Sequence, residues 1–225
     1  LADPIDGSPL RCGDPEWATL KSESGHSYDV ARQGYVTLAG GAGLRYSGDD
    51  AKMIAAREEF LSGGHYAPFV EAVTGNVQDV LDDACVAEEA SPAILEIGAG
   101  TGYYLAHTLD GVSGARGVGI DVSVPAAKHL AKCHPRVGAV VADAWARLPI
   151  RDNSIDAITV IFLLFYLGVL LYGALASTAY SLGYFGSEPL QFLQDLVWTF
   201  LSDGATAASE KLGYLERSSS AWRPH

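Results

Sequence analysis

The segment AILEIGAGTGYYLAHTLD, residues 93–110, decides the fold of this chain. Its first residues are apolar and predict a buried strand, and its last residues have the periodicity of a helix. Between them, Gly98, Gly100 and Gly102 allow a tight turn and a close approach of the backbone to a ligand. The free N–H groups at the start of the helix would face such a ligand. The segment therefore predicts a strand, a glycine loop and a helix around a ligand site.

Downstream of this segment, strands and helices alternate along the chain. The strings ARGVGID (115–121), GAVVAD (138–143) and IDAITVIF (155–162) predict strands. The string SVPAAKHLAKCH (123–134) predicts a helix with Ser123 as its N-cap. Such an alternation is typical of a doubly wound, parallel α/β sheet.

Two further helices are predicted upstream of the glycine loop. The first starts at Asp49 or Asp50 and stops at two consecutive glycines, and the second covers about residues 66–83. In the first helix the apolar residues fall on one face at spacings of three and four. The members of this face are Met53, Ala56 and Phe60.

Composition limits the class of protein and its partners. The chain has 225 residues, of which 48% are hydrophobic, and a formal charge of −12. We expect a loop-rich N-terminal module over residues 1–47 and an α/β domain over residues 48–225, atypical after residue 162. A chain with this negative charge gains no long-range attraction to RNA, DNA or anionic lipid. Binding of RNA would therefore need a local basic patch. The few scattered cysteines, and a start that lacks signal-peptide features, predict a reducing, cytoplasmic location.

Acidic residues at the strand ends indicate the kind of ligand. Asp121 ends the second strand about 20 residues after the loop, where a carboxylate can accept the hydroxyls of a ribose. Asp143 ends the third strand, where it can accept from an adenine amino group, and Ala144 follows it in the same candidate site. Glu96, just before the loop, suits a cationic sulfonium better than a pyrophosphate. Each acid alone would be read as a cap or a solvated loop residue, but together they predict an S-adenosylmethionine site.

The segments around these motifs resemble one enzyme family over about residues 10–162. They resemble the guanine-N1 methyltransferases of large-subunit ribosomal RNA, which include actinobacterial macrolide-resistance enzymes. The resemblance implies a Rossmann-like, S-adenosylmethionine-dependent methyltransferase domain and a small zinc-binding module that recognises an RNA hairpin. It also assigns the cofactor to the glycines and aspartates named above. The most specific strings are GHSYDVARQGYVTL (25–38) and GDDAKMIAAREEFLSGGHYAPFVEAV (48–73).

The chain departs from the family pattern in two places. Cys12 and His26 stand at two of the four zinc positions that the resemblance implies, whereas Pro15 and Ser22 occupy the others. Since two ligands do not close a tetrahedral zinc site, we expect a degenerate module without stable zinc. After Phe162, where the acceptor base would stack, the family pattern stops.

These departures leave alternatives to an active enzyme. One is a homologue that binds the cofactor but is catalytically impaired, and we expect weak methyl transfer from this chain. Another is a membrane-associated fragment, because Ala157–Ala176 is uncharged and mostly apolar. This alternative is disfavoured, since residues 155–162 are explained as a buried strand. The oligomeric state is open, with a homodimer as one alternative.

Overall fold

A computed structural model describes residues 1–14, 17–40, 43–45, 47–84 and 91–161 of the chain. Strands and helices alternate within this part, as the sequence predicts. The strands are β1 (Leu10–Cys12), β2 (Thr19–Ser22), β3 (Ser27–Asp29), β4 (Tyr35–Thr37), β5 (Ala93–Ile97), β6 (Arg116–Asp121), β7 (Val137–Val141) and β8 (Ala157–Thr159). The helices are α1 (Ala51–Ser62), α2 (Ala67–Asp83), α3 (Tyr103–Gly111) and α4 (Val124–Cys133).

A parallel sheet forms the centre of the described part, with strand order β4-β7-β6-β5-β8. Because the strands are parallel, the carboxyl ends of β5, β6 and β7 meet at one edge. The strand order reverses beside β5, and ligands of such sheets bind at that point of the edge. The predicted Rossmann-like α/β fold is confirmed. The edge strand β4 comes from within residues 1–47, the range predicted as a separate module. The remaining strands of that range, β1, β2 and β3, form an antiparallel sheet of their own.

The two faces of the parallel sheet have different coverings. Successive residues of β5 enter different clusters, because side chains alternate between the faces of a strand. Ile94 packs with residues of α2, α3 and α4. Leu95 packs instead with Ile120, Val140 and Leu20, the last of which comes from β2. The small antiparallel sheet therefore shares a hydrophobic core with the parallel sheet.

The predicted caps are confirmed, but the predicted apolar face of α1 is wrong. The side chain of Asp50 accepts hydrogen bonds from the N–H groups at the start of α1, and Ser123 does the same for α4. The residues that α1 buries are Ile54 and Leu61, whereas Met53 and Phe60 are 53% and 42% exposed and Ala56 is exposed. Spacing alone could not choose between these sets, because both fit one stripe of a helix.

Within the part of the chain that the structure describes, no helix is both long and apolar enough to cross a membrane. The apolar run named above lies outside the described residues from position 162 onward.

Candidate functional site

The glycine loop joins β5 to α3 at the carboxyl edge of the sheet. Gly98, Gly100 and Gly102 have φ angles of 71°, 55° and 81°, a region that disfavours residues with a Cβ. The N–H groups of Gly98 and Ala99 donate to the carbonyl of Ile120 at 2.8 and 3.1 Å. The loop is therefore tied to the neighbouring strand β6.

Asp121, at the end of β6, also holds this loop. Its carboxylate accepts hydrogen bonds from the N–H groups of Gly100 and Ser123, each at 2.8 Å. Burial raises the pKa of Asp121, and Asp49 adds to this effect, while the two N–H donors and Arg57 oppose it. Since a carboxylate has about four acceptor positions, two backbone donors leave room for hydroxyl donors from a ligand.

Asp143 lies one strand further along the same edge. It follows β7, is 7% exposed, and accepts a hydrogen bond from the N–H of Trp145 at 2.9 Å. Ala144 is half-buried in the turn between them. The N–H of Ala142 donates to the carbonyl of Asp121 at 3.1 Å, so the two strand ends that carry the predicted aspartates are directly bonded.

Glu96 is the most deeply buried acid beside the loop, at 1% exposure. Burial raises the pKa of Glu96 to about 8. A hydrogen bond from the N–H of Leu105 opposes this rise, and the charge of Asp121 adds to it. Among the described residues, its Oε2 atom has no hydrogen-bond partner. A buried carboxyl oxygen without a partner is what a site for a cationic group would contain, so the residues present fit a sulfonium.

We predict that Glu96 makes the protein less stable as the pH rises. Its pKa is higher in the folded than in the unfolded chain, so the folded state keeps a proton that the unfolded state loses between about pH 4.5 and pH 8. Its contribution to the free energy of unfolding then falls by at most about 1.4 kcal/mol per pH unit. Urea unfolding from pH 5 to pH 8 should show a flatter profile for Glu96→Gln than for the wild type. Parallel profiles would contradict the assignment.

Arg57 is part of the site although the sequence did not single it out. From α1, its Nη2 atom pairs with an Oδ atom of Asp49 at 2.7 Å. Its Nη1 atom lies 3.5 Å from the point where a Cβ on Gly100 would be. The carbonyl of Asp49 accepts from the Ser123 hydroxyl at 2.7 Å, so the start of α1 is bonded to the Asp121 turn. In the sequence, Arg57 is one arginine on a helix, a pattern that usually indicates a solvated face.

The two predicted metal positions lie at different ends of the small sheet. Cys12 pairs with Leu20, whereas His26 follows the opposite end of β2, where Ser22 pairs with Leu10. Leu20 and Ser22 are two positions apart along β2, which corresponds to about 7 Å of strand. In the described part, the one group of three potential metal ligands within 4.8 Å of one another is Asp3, Asp6 and His26. That Cys12 and His26 hold no stable zinc stays a prediction.

His26 instead belongs to a hydrogen-bonded network around a buried carboxylate. Asp3 accepts from the N–H of Ile5 at 2.8 Å and from the hydroxyl of Tyr28 at 2.7 Å, and its other oxygen lies 2.8 Å from Nδ1 of His26. Burial by itself would raise the pKa of Asp3, but hydrogen bonds from Ile5, Tyr28, Ser22 and His26 outweigh it and hold the pKa well below its usual range. This network joins the N-terminal segment to β3.

We predict that Asp3→Ala lowers the free energy of unfolding by about 1–3 kcal/mol at pH 7, because it leaves buried donors without an acceptor. The pKa of Asp3 is lower in the folded chain, so its stabilisation is present above the unfolded pKa of about 4 and is lost as the pH falls below it. Urea unfolding at pH 7 and pH 3 should therefore show a smaller difference between variant and wild type at pH 3. The exposed Asp79 of α2, changed to alanine, is the control. An equal effect at both pH values would contradict the prediction.

Comparisons with known proteins find similarity to methyltransferases. The profile of a methyltransferase domain matches residues 94–181. A Micromonospora griseorubida protein described as a candidate 23S rRNA (guanine-N(1)-)-methyltransferase is 43% identical, over 72% of this chain and 57% of its own length. A Streptomyces fradiae protein described as 23S rRNA (guanine(748)-N(1))-methyltransferase is 39% identical, over 68% of this chain and 52% of its own. The chain thus spans about half the length of these curated relatives.

The chain is also similar to solved structures. One of them is a chain of a complex between the Haloferax volcanii Trm112 methyltransferase activator and a candidate methyltransferase. It is 22% identical, covers 49% of this chain and 45% of its own, and has a TM-score of 0.34.

Proposed function

We propose, from the similarity of this chain to 23S rRNA guanine-N1 methyltransferases, that it transfers a methyl group from S-adenosylmethionine to N1 of a guanine in 23S ribosomal RNA. The observation that carries the proposal is the meeting of Gly100, Asp121 and Asp143 at one edge of the sheet, with the first two directly bonded. This is the arrangement that a nucleoside with an amino-acid tail requires.

The proposed roles of the residues follow from their positions. Asp121 accepts the ribose hydroxyls and Asp143 the adenine amino group, while the turn at Ala144 lies beside the adenine. The loop of Gly98, Gly100 and Gly102 admits the amino-acid tail, because side chains there would obstruct it. Arg57, whose guanidinium already lies over the loop, pairs with the carboxylate of that tail.

For methyl transfer, the main task of the protein is to position the methyl donor and the acceptor nitrogen. When bound, the cofactor would supply an electrophilic methyl group for an in-line displacement. Glu96 provides a buried carboxyl group beside the positive charge, and ionises more readily when that charge is present. The protein must also hold the guanine so that N1 faces the methyl group and its proton can leave. The predicted stacking residue for the guanine, Phe162, lies outside the described residues.

The proposal is tested by the transfer of tritiated methyl groups to ribosomal RNA from a strain that lacks the endogenous enzyme. We expect label at N1 of one guanine, mapped as a stop in reverse transcription because the methyl group blocks base pairing. We expect slow turnover, since Pro15 and Ser22 replace two of the four zinc ligands that the family implies and the net charge is −12. Absence of label, with binding of S-adenosylhomocysteine intact, would favour the impaired, cofactor-binding homologue instead.

A further inference from the structure

Helix α4 is basic, although the chain as a whole is acidic. Helix α4 has Lys128, His129 and Lys132 and no acidic residue. The two lysines are four residues apart, so they lie on the same face of the helix. With Thr101, Cys133 and Glu58 they line a cavity of about 380 Å³ between α4, α1 and the glycine loop. We call this the α4 surface.

The charges of the α4 surface are poorly compensated. Among the described residues, the side chains of Lys128 and Lys132 have neither an ion pair nor a hydrogen bond. Arg57 on the neighbouring helix α1, by contrast, pairs with Asp49. Glu58 is the one carboxylate that lines the cavity, and its oxygen lies 3.9 Å from His129. In a chain of net charge −12, two lysines on one concave surface with a single carboxylate beside them make a local basic patch, and concavity concentrates their field.

The α4 surface is separate from the cofactor residues but adjacent to them. None of Glu96, Asp121 and Asp143 lines the cavity, whereas Thr101 of the glycine loop does. Thr101 immediately precedes Gly102, the N-cap of α3, where the helix presents a partial positive charge. An anion in this cavity would therefore lie beside the glycine loop without contacting the proposed cofactor residues Glu96, Asp121 and Asp143.

We propose that the α4 surface binds the phosphate backbone of the substrate RNA and thereby holds the acceptor base over the carboxyl edge of the sheet. This inference rests on the proposed function. It also meets the requirement set by the net charge, since an acidic protein needs a local basic patch to bind RNA. Lysines suit this task as point charges that contact phosphates without reading sequence.

The test is equilibrium binding of a 23S ribosomal RNA fragment over a range of salt concentrations. Lys128→Ala/Lys132→Ala is compared with Arg116→Ala/Arg151→Ala, which removes the same charge from exposed positions at the amino end of β6 and in the loop before β8. Titration with S-adenosylhomocysteine and thermal unfolding of each variant report whether the fold and the cofactor site are intact. A third variant, Glu58→Gln, removes the one carboxylate that lines the cavity.

The lysine variant should bind RNA roughly 10-fold more weakly than the wild type, with a salt slope smaller by about 1 to 2. The arginine variant should keep the wild-type slope, and Glu58→Gln should bind about 2-fold more tightly. A wild-type slope in the lysine variant, with cofactor binding intact, would overturn this surface and leave the proposed function standing. Failure of the wild type to bind the RNA at all would overturn both. Methyl transfer to another acceptor, without RNA binding, would also overturn both the α4 surface and the proposed function.

Discussion

Replacing Asp121 by alanine should weaken S-adenosylhomocysteine binding by roughly 10- to 100-fold, the equivalent of about 1.5–3 kcal/mol for hydrogen bonds to a charged group. Two effects combine. The variant loses the proposed acceptor for the ribose hydroxyls, and it also loses the acceptor that holds the N–H groups of Gly100 and Ser123. The glycine loop would then have to be ordered by the ligand itself, which weakens binding further. Calorimetric titration measures the change.

The matched control for this prediction is Asp79→Ala. Asp79 is an exposed acid on α2, so its removal changes the net charge equally without touching the site. Thermal unfolding of both variants separates a binding defect from a folding defect. If Asp121→Ala binds S-adenosylhomocysteine as tightly as Asp79→Ala does, Asp121 is not a cofactor residue.

Replacing Gly102 by alanine should lower the free energy of unfolding by about 2–5 kcal/mol. The φ angle of Gly102 is 81°, a conformation that costs a residue with a Cβ about 1–2 kcal/mol. The new Cβ would lie 2.6 Å from both Sγ of Cys133 and Cδ1 of Leu130, and Leu130 is fully buried. Overpacking of this kind costs about another 1–3 kcal/mol. Urea unfolding measures the sum.

Gly75→Ala is the control, and its expected effect has the opposite sign. Gly75 lies inside α2, and a Cβ added there would meet nothing within 4 Å. Alanine should therefore stabilise the protein by about 0.5–1 kcal/mol, since glycine is the poorer helix residue. If both variants changed stability by similar amounts, the tight packing of Gly102 against α4 would be contradicted.

Local sequence patterns predict some structural requirements of the glycine loop and not others. The sequence predicted that the loop of Gly98, Gly100 and Gly102 needs glycine, because a strand followed by a helix demands a sharp turn. It did not predict that Gly102 must also be small for Cys133, thirty-one residues further along the chain. The apolar face of α1 failed for a related reason. Ile54 and Leu61 are buried because of what α1 packs against, and spacing within a helix does not contain that information.

In the candidate site, too, some positions were predictable from the sequence and others were not. The predicted acids lie where strands end, and in a parallel sheet the carboxyl ends of neighbouring strands meet at one edge. Their proximity was therefore predictable once the strands were. Arg57 was not, because its position beside Gly100 depends on the docking of α1 over the Asp121 turn. That these residues bind the cofactor stays a prediction that the titrations above test.

The sequence by itself determined the α/β fold, the glycine loop, the helix caps of Asp50 and Ser123, and the resemblance to ribosomal RNA methyltransferases, because each depends on residues close together in the chain. Only the tertiary structure decided that β4 joins the parallel sheet, that His26 pairs with Asp3 rather than lying beside Cys12, and that Lys128 and Lys132 line a cavity beside the glycine loop. These features join residues that are distant along the chain. Their positions follow from how strands pair and helices dock, and composition and periodicity do not record either.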